Sequence, residues 1–186
     1  MSTAIRSPDQ LTVEAYLAGE NDGQLRHEFV DGRVFAMAGA SERKNGVKLN
    51  IAGALNASVD EPCRVFDGDM KLRVDQGPDV RFYYPDVFVS CSTENDDAYV
   101  RRDAALIIEV LSPSTERTDR FEKVQAYISL PMLSEYALVE QDVPRVEIHR
   151  RRTGWSREVF GPGSSVTFES ISQTMTVDQI YRRIRF

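Results

Sequence analysis

The stretch that most constrains this chain is "ALIIEVLSPST", residues 104–114. Ala104 to Ile108 read as an interior strand, Glu109 interrupts them, and Val110 and Leu111 resume. Side chains alternate along a strand, so Ile107, Glu109 and Leu111 share one face while Leu106, Ile108 and Val110 share the other. Glu109 therefore points where apolar side chains point. An unpaired carboxylate inside a sheet is costly, so a fold that keeps one there must hold it with something.

The same oddity appears upstream. In "YYPDVFVSC", Asp86 opens an apolar strand directly after Pro85. Two carboxylates at strand ends can share a divalent cation, because hard cations such as Mg²⁺ prefer oxygen ligands. Taken singly, Asp86 also reads as a turn or strand-start residue, and a salt bridge to a core arginine is the alternative for Glu109. In "ERTDRFEKVQAYISL", Asp119, Lys123 and Tyr127 recur every four residues and share one helix face. That helix follows the Glu109 strand directly, so it should pack back over the sheet. Lys123 could then reach the carboxylates and stabilise an attacking hydroxide or the charge on a pentavalent phosphate. An exposed Lys123 paired with Asp119 is the alternative.

The remaining pattern is α/β, with helices before and after a central set of strands. "SPDQLTVEAYLAGE" predicts a first helix with Ser7 as N-cap, Pro8 in the first turn and Gly19 at the end. "RHEFVDGRVFAMA" alternates on both sides of Asp31-Gly32, a hairpin signal. "RKNGVKLNIAGALNASV" places Val47, Ile51, Ala54, Leu55 and Val59 at helical spacing. Short strands are expected at "CRVFD", "MKLRV" and "PDVFVSC", before the Glu109 strand. In the following helix the three- and four-residue spacing of Phe121, Val124 and Ile128 predicts one buried stripe. Strands at "EYALVE", "RVEIHRR" and "SSVTFES" come next, then a terminal helix capped by Thr176.

A chain of 186 residues suits one domain spanning 1–186, with room for a full core. No apolar run approaches the roughly 20 residues that cross a bilayer, and "MSTAIRSPDQ" lacks the apolar core of a signal peptide. Cys63 and Cys91 are too few to indicate a disulfide framework or a cysteine zinc site. The expected location is the cytoplasm. A net charge of −6 argues against tight non-specific nucleic-acid binding by the chain as a whole, but it leaves room for a locally basic groove. The basic runs "RVEIHRRRTGWSR" and "YRRIRF" and the acidic "STENDDAY" read as solvated surface.

Beyond these local readings, "YYPDVFVSC" followed by "LIIEVLSPSTERTDRFEKVQAYISLPMLSEYALVE" resembles the Uma-two type of restriction endonuclease, a branch of the PD-(D/E)XK nuclease superfamily. "LRHEFVDGRVFAMAG" is similar to the opening hairpin of that family, and the resemblance covers about residues 11–150. It implies a restriction-endonuclease-like fold: a central mixed β-sheet flanked by helices, with an N-terminal helix and hairpin. It further implies a Mg²⁺- or Mn²⁺-dependent phosphodiesterase acting on DNA. Asp86 and Glu109 would match the metal-binding acids, with the Val110 carbonyl as an added ligand. Leu111 stands where the usual signature has its lysine, and Lys123 would supply that lysine from the next helix. Glu28 matches a family glutamate that completes the site as an outer ligand, although alone it reads equally as a solvent-facing hairpin residue.

The implied reaction is water attack on a phosphodiester, with the metal lowering the pKa of the water. Asp86 and Glu109 position the metal, Lys123 orients or activates the water, and Tyr127 and Asp119 orient Lys123. A homodimer would let two sites cut both strands. There is one departure from the family: a histidine is common near the start of the second helix, and here Glu42, Arg43 and Lys44 stand there. Asp69 and Lys71, in "DGDMKLRV", are secondary candidates for the cleft, with a surface hairpin as the simpler reading. His27 and His149 fit no metal-ligand spacing. The competing reading is a nuclease-fold binding module that does not cleave, since fold alone confers no activity.

Overall fold

The chain opens with helix α1 (Val13–Asp22) and the hairpin β1 (His27–Val30) and β2 (Arg33–Ala36). The structure, a computed structural model, describes residues 10–22, 25–94 and 97–186. Asp31 and Gly32 both take left-handed backbone angles, φ 50° and 89°, which suits the twist of a two-residue hairpin. Helix α1 starts later than its sequence suggests. Residues 10–12 are not helical, and the Thr12 hydroxyl accepts from the Ala15 N–H at 3.2 Å. Ser7 and Pro8, the expected opening, lie outside the described residues.

Helix α2 (Glu42–Ser58) is capped by the Ser41 hydroxyl and buries Val47, Ile51 and Leu55. It leads to β3 (Arg64–Asp67), β4 (Lys71–Gln76), β5 (Asp79–Tyr83), β6 (Val87–Ser90), β7 (Val100–Arg101) and the Glu109 strand, β8 (Leu106–Leu111). A π-helical segment, Thr118–Lys123, then runs directly into α3 (Val124–Tyr127). After it come β9 (Glu135–Glu140), β10 (Val146–Arg150), β11 (Arg157–Phe160), β12 (Ser165–Phe168), β13 (Gln173–Thr176) and α4 (Val177–Ile180). Strands β5, β7, β11 and β13 have no counterpart in the sequence reading. The terminal helix has its expected cap, with Thr176 and Gln179 in a reciprocal capping box.

The strands form two mixed sheets and a small hairpin. The six-stranded sheet runs β11-β10-β9-β8-β6-β3, with only β8 and β9 parallel. The five-stranded sheet runs β2-β1-β5-β4-β7. One face of the larger sheet, through Leu106, Ile108 and Val110, packs on α2 and on the C-terminal hairpin and α4. Its other face, through Ile107 and Leu111, shares a core with Leu72 and Tyr83 of the smaller sheet and with Ala126 and Tyr127. Glu109 lies on this second face, as alternation predicts. It is enclosed between the two sheets and the π-helical segment.

Two expectations need correction. Cys63 and Cys91 are joined as a disulfide, because the β3–β6 register that pairs Arg64 with Ser90 brings the next two residues opposite each other. Phe121, read as part of a buried stripe, is 67% exposed, and Val124 and Ile128 are only partly buried. Instead the face carrying Asp119, Lys123 and Tyr127 turns inward. The π-helical turn shifts the register, so the buried face is the one carrying the charges. It follows that Phe121→Ser should leave stability within about 0.5 kcal/mol of wild type, while Leu130→Ala costs about 2–5 kcal/mol. Urea denaturation checks both, and the reverse order would contradict the inward turn of the charged face.

Candidate active site

Asp86 and Glu109 face each other across the β6–β8 ladder, one step beyond the Val87–Ile108 pair. They are bonded crosswise through backbone. The Asp86 N–H donates to Glu109 Oε2 at 3.2 Å, and the Val110 N–H donates to Asp86 Oδ2 at 2.8 Å. Each carboxylate is thus oriented by the amide of, or beside, the other acid. Glu109 is only 2% exposed.

Lys123 closes the site from the π-helical segment. Its Nζ lies 2.8 Å from Glu28 Oε1, 3.3 Å from Glu109 Oε1 and 3.3 Å from Asp119 Oδ1. The Tyr127 hydroxyl donates to the same Glu109 Oε1 at 3.0 Å. Glu28 arrives from β1 on the smaller sheet, so the centre is assembled from both sheets and the helix between them. Glu28, Asp86, Glu109 and Lys123 are therefore brought together, with Tyr127 and Asp119 in direct contact. Val110 enters through its backbone.

Lys44, noted in the sequence only for standing where the family often has a histidine, is a further member of the site. From the first turn of α2 its Nζ reaches Asp86 Oδ2 at 2.7 Å, with both side chains largely buried. The signal was available in part: Lys44 lies three residues before Val47, on the N-terminal extension of the stripe formed by Val47, Ile51 and Leu55. The secondary candidates separate from the site. Asp69 is exposed and pairs with Arg26 at 2.8 Å, while the Lys71 ammonium, buried, sits over the Tyr84 ring at 5.7 Å. His27 bonds Glu20, and His149 bonds the Trp155 carbonyl.

Four carboxylates therefore meet two ammonium groups. Burial pushes the Glu109 carboxyl up to about 8; Asp119 and Asp86 push the same way, while Lys123 and Lys44 oppose them. For Lys123, burial disfavours the charge, but Glu109, Glu28 and Asp119 more than offset it and hold the pKa well above the ordinary lysine value. Lys123 is accordingly a fixed cation. Burial, reinforced by Glu109, raises the Tyr127 phenol, so it stays a donor. Both Asp119 oxygens are buried without a hydrogen bond, which leaves the acid side of the cluster under-compensated.

An excess of buried carboxylate oxygen suits a hard divalent ion. Mg²⁺ binds through one or two carboxylates and keeps water or substrate on its other positions. Asp86 and Glu109 offer that pair. Among the described residues no group of three or more His, Cys, Asp or Glu side chains is arranged to hold a metal, so the protein would supply few ligands. The donor set fits Mg²⁺ or Mn²⁺ and is wrong for a soft metal.

Residues 13–178 match the family described as "Uma2: Putative restriction endonuclease". The chain is 29% identical over 181 residues to "Uncharacterized protein slr1290" of Synechocystis, covering 95% of this chain and 94% of that one. It is 32% identical over 167 residues to "Uncharacterized protein sll1609" of the same organism, covering 85% and 92%. A crystal structure from Anabaena variabilis, described as a putative nuclease belonging to DUF820, superposes with TM-score 0.74 at 16% identity, over 92% of this chain and 97% of that one. At that identity the likeness concerns the fold alone, a mixed α/β arrangement.

The Glu109 environment makes stability depend on pH. Folded, the group holds its proton to about 8, whereas the unfolded chain releases it near the ordinary 4.5. Between these values the folded state carries more protons, so stability should fall as pH rises. Denaturation midpoints measured with a chelator across this range should decline in wild type and flatten in Glu109→Gln. Equal slopes in the two proteins would remove Glu109 as the source.

Proposed function

The chain belongs to the Uma2 family, described as "Putative restriction endonuclease", and from that premise we propose that it is a Mg²⁺- or Mn²⁺-dependent DNA endonuclease. The observation carrying this reading is the buried Glu109 carboxylate, shared by Lys123 and Tyr127 beside Asp86 in a cluster with more acids than bases. A chain preserving only its scaffold could fill that position with an apolar side chain and avoid the cost of burying charge.

Asp86 and Glu109, with the Val110 carbonyl, would hold the ion. When bound, such an ion neutralises developing charge and lowers the pKa of a water. In the reaction the water oxygen bonds to phosphorus, one ester P–O bond breaks, and the departing oxygen takes a proton. Lys123 is a fixed cation here, so it steadies negative charge on the phosphoryl oxygens and orients the water. It does not accept the proton. Glu28 fixes the Lys123 ammonium from the smaller sheet, with Asp119 and Tyr127 as positioning residues for Lys123 and Glu109. A homodimer would set two centres on opposite strands, and the cytoplasm would give access to DNA. Among the described residues no helix is long and apolar enough to cross a membrane.

One observation favours the non-cleaving alternative: Lys44 already neutralises Asp86, which lets the pair persist as a structural element without an ion. Supercoiled plasmid separates the two readings. Metal-dependent nicking by wild type should drop at least roughly a hundredfold in both Glu109→Gln and Lys123→Ala. No nicking by wild type with either ion, or equal nicking in all three proteins, would favour the binding module.

A further inference from the structure

One cleft among the described residues lies away from Glu109. It runs along the other flank of α2, has a volume of about 730 Å³, and is lined by Arg43, Arg182, Arg183 and Arg185. Glu42 is the only acidic residue in its lining. Among the described residues Arg182, Arg183 and Arg185 have no carboxylate within ion-pair distance, although the chain carries a net charge of −6. In such a chain a concentration of unpaired arginines focuses positive potential at one place.

The cleft is held in shape by contacts that leave these guanidinium groups free. The Asn50 side-chain amide donates to the carbonyls of both Ile180 and Arg182, at 2.9 Å each. Arg43 Nε donates to the Arg185 carbonyl at 2.8 Å, and its Nη1 pairs with Asp142 at 2.8 Å. Ile184 packs so closely on α2 that a Cβ at Gly46 would lie 2.7 Å from its Cδ1. Arg183 takes a left-handed backbone, φ 65°, a conformation that costs free energy for a side-chain-bearing residue and persists where surrounding contacts impose it. The arginines are thus presented by a braced segment.

Position supplies the remaining argument. Arg43 lines the cleft, and the next residue, Lys44, contacts Asp86, so the first turn of α2 gives one side chain to the cleft and one to the candidate active site. Lys48, one turn after Lys44, places its ammonium beside Gly68 and has no carboxylate partner among the described residues. Cationic groups therefore flank both sides of the helix entry. Arginine forks match phosphate oxygens in pairs, and free phosphodiesters arranged in series are the backbone of a nucleic acid.

We infer that this cleft is a subsite for the phosphate backbone of a nucleic-acid strand, holding the substrate beside the Glu109 centre. The inference rests on the nuclease reading and adds where the strand is gripped. The test is fluorescence anisotropy with a short labelled DNA duplex and its single strand, in EDTA so that binding is read without cleavage. Wild type should bind at least one of the two. Arg182→Gln/Arg183→Gln should bind about tenfold more weakly, with a log–log salt slope shallower by about 2. Both arginines are exposed, and matching melting curves would confirm an intact fold. Unchanged affinity and slope in the double variant, with DNA binding retained by wild type, would overturn the cleft assignment and leave the nuclease reading standing. Failure of wild type to bind either DNA would bring down both. Loss of binding to phosphatidylserine vesicles in the double variant, with DNA binding unaffected, would also overturn the assignment in favour of a lipid surface.

Discussion

The contact between Glu109 and Lys123 is the constraint around which the rest of the site is built. A carboxylate buried in the middle strand of a six-stranded sheet needs a partner that reaches it without solvent. The β8 strand ends at Leu111 and the chain returns over the same sheet within a few residues. The helix that returns could bury its apolar stripe, as isolated periodicity suggests. Instead a π-helical segment rotates Asp119 and Lys123 inward and leaves Phe121 in solvent. Exposing a phenylalanine forfeits about 1.5–3 kcal/mol of burial. Leaving Glu109 and Asp119 buried without a cation would cost more, so the charged face wins.

From that contact the polar network extends outward. Asp86 and Glu109 accept amide protons across the ladder, Tyr127 adds a hydroxyl, and Glu28 anchors Lys123 from the second sheet. The two sheets consequently share one polar centre as well as one apolar cluster. Even so, the arrangement stays short of positive charge, and the two buried Asp119 oxygens have no hydrogen bond, only the ion pair of Oδ1 with Lys123. That deficit, more than the family resemblance, is the physical reason to expect a divalent ion.

Much of this was legible in the sequence. Alternation along "ALIIEVL" places Glu109 on its face, and four-residue spacing groups Asp119, Lys123 and Tyr127. Asp31-Gly32 announces its hairpin because both residues tolerate positive φ. What escaped was set by pairing between distant segments. The exception is β5, where Val80 and Phe82 alternate with Asp79 and Arg81 after Gly77-Pro78, a local strand signal that was not used; the two residues of β7 carry no period. The Cys63–Cys91 bond depends on strand register, and the π-helical shift hides behind an ordinary-looking helical stripe. Lys44 was noted only for standing where the family often has a histidine, because its reach to Asp86 depends on how α2 packs on the sheet. The basic segment "YRRIRF" reads as surface; its arginines are exposed, but Tyr181 is buried in the core and Ile184 packs on α2, which turns the segment into one wall of a cleft.

If Glu109 holds its proton until a divalent ion replaces it, binding of the ion must release that proton. The decisive measurement is calorimetric titration of Mn²⁺ near neutral pH, in buffers of different ionisation enthalpy, for wild type and Glu109→Gln. The account predicts release of about one proton per ion by wild type, with weaker binding and no release in the variant. Equal affinity in the two proteins, or binding by wild type with no proton released, would contradict the claim that a cation occupies the Glu109 carboxylate.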